Sequence, residues 1–222
     1  MPDRLRIAPP LNGAATAEPP SDCALCQRLV AFRSENRRKY PDFYNGAVRS
    51  FGDPAAELLV VGLAPGRKGA NRTGRPFTGD YAGNLLYPTL IRHGFARGEF
   101  KADPDDGLEL RRAMVTNAVR CVPPQNKPTG PEIRTCRRFL LGRIAALPRL
   151  RAIFLLGRIA HDSVLAALAA RRKDYPFAHA AVHRLDGLVL VDSYHCSRYN
   201  VNTGRLTPEM FDAAFRRAKE AL

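Results

Sequence analysis

An α/β fold follows from three observations. Four short apolar runs read as buried strands, and helical patterns lie between and around them. Alternation of this kind calls for a parallel sheet with helices on both faces. Hydrophobic residues make up 45% of the 222 positions, enough for a full core. No apolar run approaches ~20 residues, so a membrane-spanning helix is excluded.

Taken in order, residues 1–20, "MPDRLRIAPPLNGAATAEPP", read as a flexible leader, and residues 21–222 as one domain. The leader has no apolar stretch long enough for a signal peptide. "SDCALCQRLVAFRSENRRKY" suggests a helix capped by Ser21 or Asp22. The strands are "ELLVVGLA" from Glu57, "AMVTNAV" from Ala113, "RAIFLLG" from Arg151 and "LVLVDSYH" from Leu188. "YAGNLLYPTLIRHGF" is helical in pattern, with Pro88 expected to kink or interrupt it. "GPEIRTCRRFLLGRIAAL" opens with Pro131 near its first turn. "RIAHDSVLAALAARR" and "TPEMFDAAFRRAKEAL" complete the helices, the last with Thr207 as N-cap and Pro208 at its first position. Ligands of such sheets bind beyond the C-terminal ends of the strands. Those ends are "GLAPG", "NAVRC", "LLGR" and "SYHCSRYN", so the glycine-rich, polar and cysteine-bearing clusters share one rim.

The net charge is +14, from 35 Lys and Arg against 21 Asp and Glu. A polyanionic partner explains that excess, and so does an Arg-rich composition from a GC-rich genome. The glycine-rich loop, Val60 to Asp80, first suggests a phosphate cradle. It lacks both G-x-x-x-x-G-K-[ST] and a close G-x-G-x-x-G, so the usual nucleotide fingerprints are missing.

There are five cysteines, an odd number with no secretion signal, which argues against a disulfide framework and for a reducing cytoplasm. Cys23 and Cys26 have chelating spacing, and Cys121 and Cys136 add two more thiols. Four sulfurs suit either structural zinc or an iron–sulfur cluster. The plain alternative is four small buried hydrophobes. Cys196, directly after His195, reads as a non-ligand.

Together "GLAPGRKGANRTGRPFTGD", "NAVRCVPPQNKPT" and "SYHCSRYNVNTGRLT" resemble the family-five (type B) iron–sulfur uracil-DNA glycosylases, from about Cys23 to Phe211. The resemblance implies a three-layer α/β/α sandwich with a short central parallel sheet. It also implies a [4Fe–4S] cluster on Cys23, Cys26, Cys121 and Cys136. Its partner would be DNA carrying uracil or another deaminated base, such as hypoxanthine or xanthine, bound by a monomer.

Such an enzyme must extrude a base and break its N-glycosidic bond. By resemblance, Asp80 is the catalytic carboxylate, orienting water or stabilising the positive sugar; on bare sequence it reads as a helix N-cap. Leu63 stands where the sister iron–sulfur branch has an acidic residue, which supports moving the carboxylate role to Asp80. Phe77 would stack on the base, or else anchor the loop in the core. Gly62 and Ala64 would let backbone approach the base. Asn117 offers a donor and an acceptor to the uracil edge, where family-five members often have a small residue; its alternative is satisfying a strand end. Asn126 matches a polar pocket position and could equally serve a turn. His195 would donate a hydrogen bond to uracil O2 as charge builds. Lys68, Arg72, Ser197, Arg198 and Arg205 are candidate DNA contacts, against the alternative of a solvated basic face. The rival to all of this is a metal-stapled nucleic-acid-binding module without catalysis.

Overall fold

The computed structural model describes residues 17–222. Helix α1 (Gln27–Lys39) leads to a short strand β1 (Phe51–Gly52) and to β2 (Leu58–Gly62). The glycine-rich loop holds a single turn, α2 (Ala70–Thr73), and ends at α3 (Tyr81–Arg92). A small ribbon, β3 (Ala96–Arg97) with β4 (Glu109–Leu110), precedes β5 (Ala113–Asn117) and α4 (Gly130–Ala145). Then follow β6 (Ala152–Leu156), α5 (Arg158–Ala167), β7 (Val182–Leu185), β8 (Leu188–Ser193), α6 (Arg198–Asn202) and α7 (Pro208–Glu220).

The main sheet has six strands in the order β1-β5-β2-β6-β8-β7. The four expected strands form its parallel centre, and β1 and β7 add antiparallel edges. The sheet is therefore mixed at its margins. Neither edge announces itself: β1 has two residues, and β7 reads "VHRL", half exposed.

Side-chain alternation sorts the strands into two cores. Leu58, Val60, Val115, Phe154 and Val191 meet Leu86 and Leu90 of α3 and Phe211 and Phe215 of α7. Leu59, Val61, Met114, Ile153 and Leu190 meet Leu140 and Ile144 of α4 and Val164 of α5. Both faces of the central strands are buried, which is why they read as unbroken apolar runs.

Local chemistry sets the helix ends. Thr129 and Glu132 form a reciprocal capping box on α4, and Thr207 accepts from Met210 N on α7. Two expectations fail. The first helix begins at Gln27, with Cys26 in the capping position and no side-chain cap, so neither Ser21 nor Asp22 starts it. Residues 21–26 are instead committed to presenting two cysteines. Pro88 lies inside an uninterrupted α3. The carbonyl it deprives, on Asn84, belongs to an exposed residue, so water can satisfy it.

Residues just ahead of the expected boundary at 20 make contacts with the rest of the chain. Glu18 bridges Arg120 at 2.9 Å and Arg143 at 2.6 Å, and Pro19 is buried. Residues 1–16 of the expected leader lie outside the described residues.

Candidate active site

The ends of β2 and β8, with the loop after β5, enclose a cleft of about 970 Å³. Asp80, His195, Asn126, Ala64, Lys68, Ser197 and Arg198 all line it. Of the twelve residues singled out besides the four cysteines, these seven line the cleft; Gly62, Phe77, Asn117, Arg72 and Arg205 do not.

Asp80 caps α3, its Oδ1 accepting from Ala82 N at 3.2 Å. The N-cap alternative and the pocket role therefore hold together. Burial raises its carboxyl above the ordinary range, and the backbone N–H groups of Ala82 and Gly83 pull the other way. A Cβ on Gly69 would collide with Asp80 Oδ2, so the loop must be bare there for the carboxylate to turn toward the cleft.

Outside the residues that line the cleft, Phe77 and Asn117 meet over Gly62. A Cβ at Gly62 would stand 2.7 Å from Asn117 Oδ1 and also strike the Phe77 ring. Phe77 has φ 54°, a left-handed conformation that a bulky residue rarely adopts. Phe77 is 6% exposed and belongs to the α3/α7 core, so it anchors the loop. Asn117 is also buried, and its carboxamide makes no hydrogen bond among the described residues.

His195 stands between two cavities. It walls the main cleft and a second one of about 390 Å³ lined by Arg158, Phe177, Tyr194 and Arg205. Asn200 Nδ2 donates to the His195 carbonyl at 2.8 Å and fixes the segment. Burial pushes the imidazole down to about 4, so it is neutral near pH 7.

The basic residues divide. Lys68 and Arg198 reach the cleft, Arg198 lying 5.5 Å over the Tyr81 ring. Arg72 braces the loop from behind, its Nε donating to the Lys68 carbonyl at 3.1 Å. Arg205 faces the second cavity, 4.8 Å over the Tyr194 ring. Ser197 caps α6 by accepting from Asn200 N. Asn126 follows Gln125, both left-handed at φ 57° and 55°, so the turn alternative holds even as Asn126 meets the cleft.

Arg67, Tyr81 and Gln125 also line the cleft and were missed from sequence. Arg67 adjoins Lys68 and Tyr81 adjoins Asp80, so proximity to flagged residues was the available signal. Arg75, from the same basic run, has a different duty. It forms a buried two-pronged pair with Asp106, both contacts 2.8 Å, and holds that carboxyl down to about 2.

On the other flank, Cys23, Cys26, Cys121 and Cys136 line one small cavity with Leu29 and Phe139. Arg33 Nη1 donates to Cys121 Sγ at 3.6 Å, and Arg120 N donates to Cys136 Sγ at 3.3 Å. Burial pushes the Cys121 thiol up to about 12 and that of Cys136 up to about 11. Unaided, they would stay protonated; thiolates there require a cation. Cys196 is buried apart from this group, its Sγ 3.6 Å from the Ala82 carbonyl.

Comparison with known proteins places this geometry among relatives. A family model described as the uracil DNA glycosylase superfamily matches residues 49–219. A type-5 uracil-DNA glycosylase of Thermus thermophilus is 45% identical over 89% of this chain and 92% of its own. Another of that name from Pyrobaculum aerophilum is 40% identical over 89% of this chain and 88% of its own. A type-4 uracil-DNA glycosylase of the latter organism is 32% identical over 58% of both chains.

Proposed function

We propose, from the premise that the chain belongs to the uracil-DNA glycosylase superfamily, that it excises uracil from DNA by hydrolysing the N-glycosidic bond. One observation carries this reading: Asp80 at the start of α3 and His195 just after β8 line a single cleft, the first able to be an anion and the second a neutral donor.

The extruded uracil enters above Gly62, with Phe77 beneath it and the Asn117 carboxamide toward its Watson–Crick edge. As the C1′–N1 bond breaks, its electron pair goes to the uracil ring. Neutral His195 donates a hydrogen bond to O2 of the departing anion. The carboxylate of Asp80 stabilises the positive sugar and orients the water whose oxygen bonds to C1′. The water's proton leaves through Asp80 or solvent, and the products are free uracil and an abasic site. Lys68, Arg198 and Ser197 hold the strand at the cleft mouth, while Arg205 and Arg72 act from its margins.

The four cysteines fit a [4Fe–4S] cluster. They supply a wholly sulfur donor set in one cavity. The nearby Arg33 and Arg120 guanidinium groups retain unpartnered N–H groups among the described residues, suited to an anionic thiolate shell. Cys23 and Cys26 ahead of α1, Cys121 after β5 and Cys136 within α4 would hold the cluster, and the group would supply a structural tie between these segments. We place this monomer in the cytoplasm with DNA as its partner; no described helix is long and apolar enough to cross a membrane.

Base release from uracil, hypoxanthine and xanthine duplexes, by the unaltered protein and Asp80→Ala, tests the reading. Uracil should leave fastest, and the variant should be nearly inactive. Binding without release of any base would point to the non-catalytic module, and hypoxanthine leaving as fast as uracil would remove the role given to Asn117.

A further inference from the structure

Away from the cleft, three side chains converge on the α5 face of the sheet edge. Asp192 of β8 is fully buried, and each of its carboxylate oxygens meets a different imidazole. His161 Nδ1, from α5, lies 2.8 Å from Oδ1, and His183 Nε2, from β7, lies 3.3 Å from Oδ2. The three ligand atoms all fall within 4.8 Å of one another.

The other nitrogen of His161 decides how this group must be read. His161 Nε2 is 2.9 Å from the Tyr175 carbonyl. A carbonyl oxygen only accepts, so Nε2 carries the proton and donates it. In neutral His161, Nδ1 then presents a lone pair to Asp192 Oδ1, an oxygen that is itself only an acceptor. A proton on the ring or on the carboxyl can bridge them, and so can a metal ion. A ring nitrogen donating to a backbone carbonyl while its partner nitrogen turns toward a carboxylate is also the usual support for a metal-ligating histidine.

We propose that His161, His183 and Asp192 bind one divalent transition ion of the zinc class. Two imidazoles and one carboxylate are the ligand set such ions favour, whereas calcium and magnesium prefer oxygen alone. Zn–N and Zn–O bonds near 2.0–2.2 Å place neighbouring ligands about 3.4 Å apart. The present spacings are 3.3 Å for His183, close to that value, and 2.8 Å for His161, so the His161–Asp192 pair would open by about 0.6 Å to seat the ion. The side chain of His183 is 12% exposed, which leaves the group a route to solvent. The ion would tie α5, β7 and β8 together. Through Tyr175 it would also hold the segment that brings Phe177 to the cavity beside His195. This is separate from the cysteine cavity and does not depend on the reaction proposed above.

The test loads zinc onto the full-length protein with its cysteine site filled, removes loose metal, and measures retained zinc, the zinc-edge absorption spectrum and the thermal midpoint. One zinc per chain is expected, with a nitrogen and oxygen shell near 2.0–2.1 Å. The midpoint should rise on the order of 5 °C. His183→Gln, at the sheet edge where it is least disruptive, should retain no zinc and lose the rise while its circular dichroism is unchanged. No retained zinc, equal retention by His183→Gln, or a sulfur shell near 2.3 Å would each overturn the proposal; the first leaves an imidazolium–carboxylate pair, and the last assigns the metal to the cysteines.

Discussion

Asp80 and His195 border the same cleft, yet burial acts on them in opposite directions. Desolvation favours the neutral form of each: it raises the Asp80 carboxyl and lowers the His195 imidazole. For His195 nothing opposes the trend, and neutrality is what a hydrogen-bond donor to a departing anion needs. Asp80 must instead remain charged, and two backbone N–H groups at the start of α3 work against desolvation. The same dry surroundings thus act on both groups, with backbone donors opposing them at Asp80 alone.

The sharpest way to break this contrast is Asp80→Asn. It keeps an N-cap side chain and removes the charge. Excision should fall roughly 10²–10⁴-fold in a single-turnover assay, the range of a lost acid–base group. Stability should not fall at neutral pH. A raised folded-state carboxyl pKa means that ionisation costs folding stability as pH rises through it, and the amide escapes that cost. Near-normal turnover would remove Asp80 from catalysis.

His195→Gln should come next, with a loss on the order of 10²–10³-fold in kcat, as for one missing donor to a developing anion. Its acid limb should resemble that of the unaltered protein, because Asp80 sets that limb from above its ordinary value of 3.8. An activity limb near 6.5 that disappears in His195→Gln would contradict a depressed imidazole. The same imidazole affects stability. Between 6.5 and about 4 the unfolded chain takes up a proton that folded His195 refuses, so its contribution declines as pH falls through that window. Comparing acid denaturation of the two proteins measures it.

Gly69→Ala tests position rather than charge. The added methyl collides with the carboxylate, and excision should fall at least about tenfold with the pH profile kept. Smallest of all, Thr129→Ala removes one half of the α4 capping box and should cost about 1 kcal/mol in denaturant unfolding. Neither pH limb should move.

The central strands were legible because each carries two buried faces, and the helix ends at Thr207 and Pro131 because capping is local chemistry. The β1 and β7 edges were not legible, since two residues or an alternating exposed run give almost no pattern. The true start of α1 was hidden because the cysteines, rather than capping preference, govern residues 21–26. At the site, Asp80, His195 and Asn126 were recoverable from motif and position on the rim. The separation of Lys68 from Arg72 and Arg75 was not. All three sit in one basic run, and only folding sends one to the cleft, one behind the loop and one into a buried pair.

Glu18 bears on how this chain can be shortened. Arg120 is 1% exposed, and the Glu18 carboxylate is its charged partner. Trimming at residue 20, where sequence suggests a domain edge, would strand that guanidinium without its counter-charge beside the cysteine cavity. Loss of a buried partner costs about 3–5 kcal/mol, a large share of the margin by which most domains stay folded. A trimmed protein intended for crystals or expression should begin ahead of Glu18; one that begins after it should come out of cells poorly, and pale if the cluster proposed for the cysteines is lost.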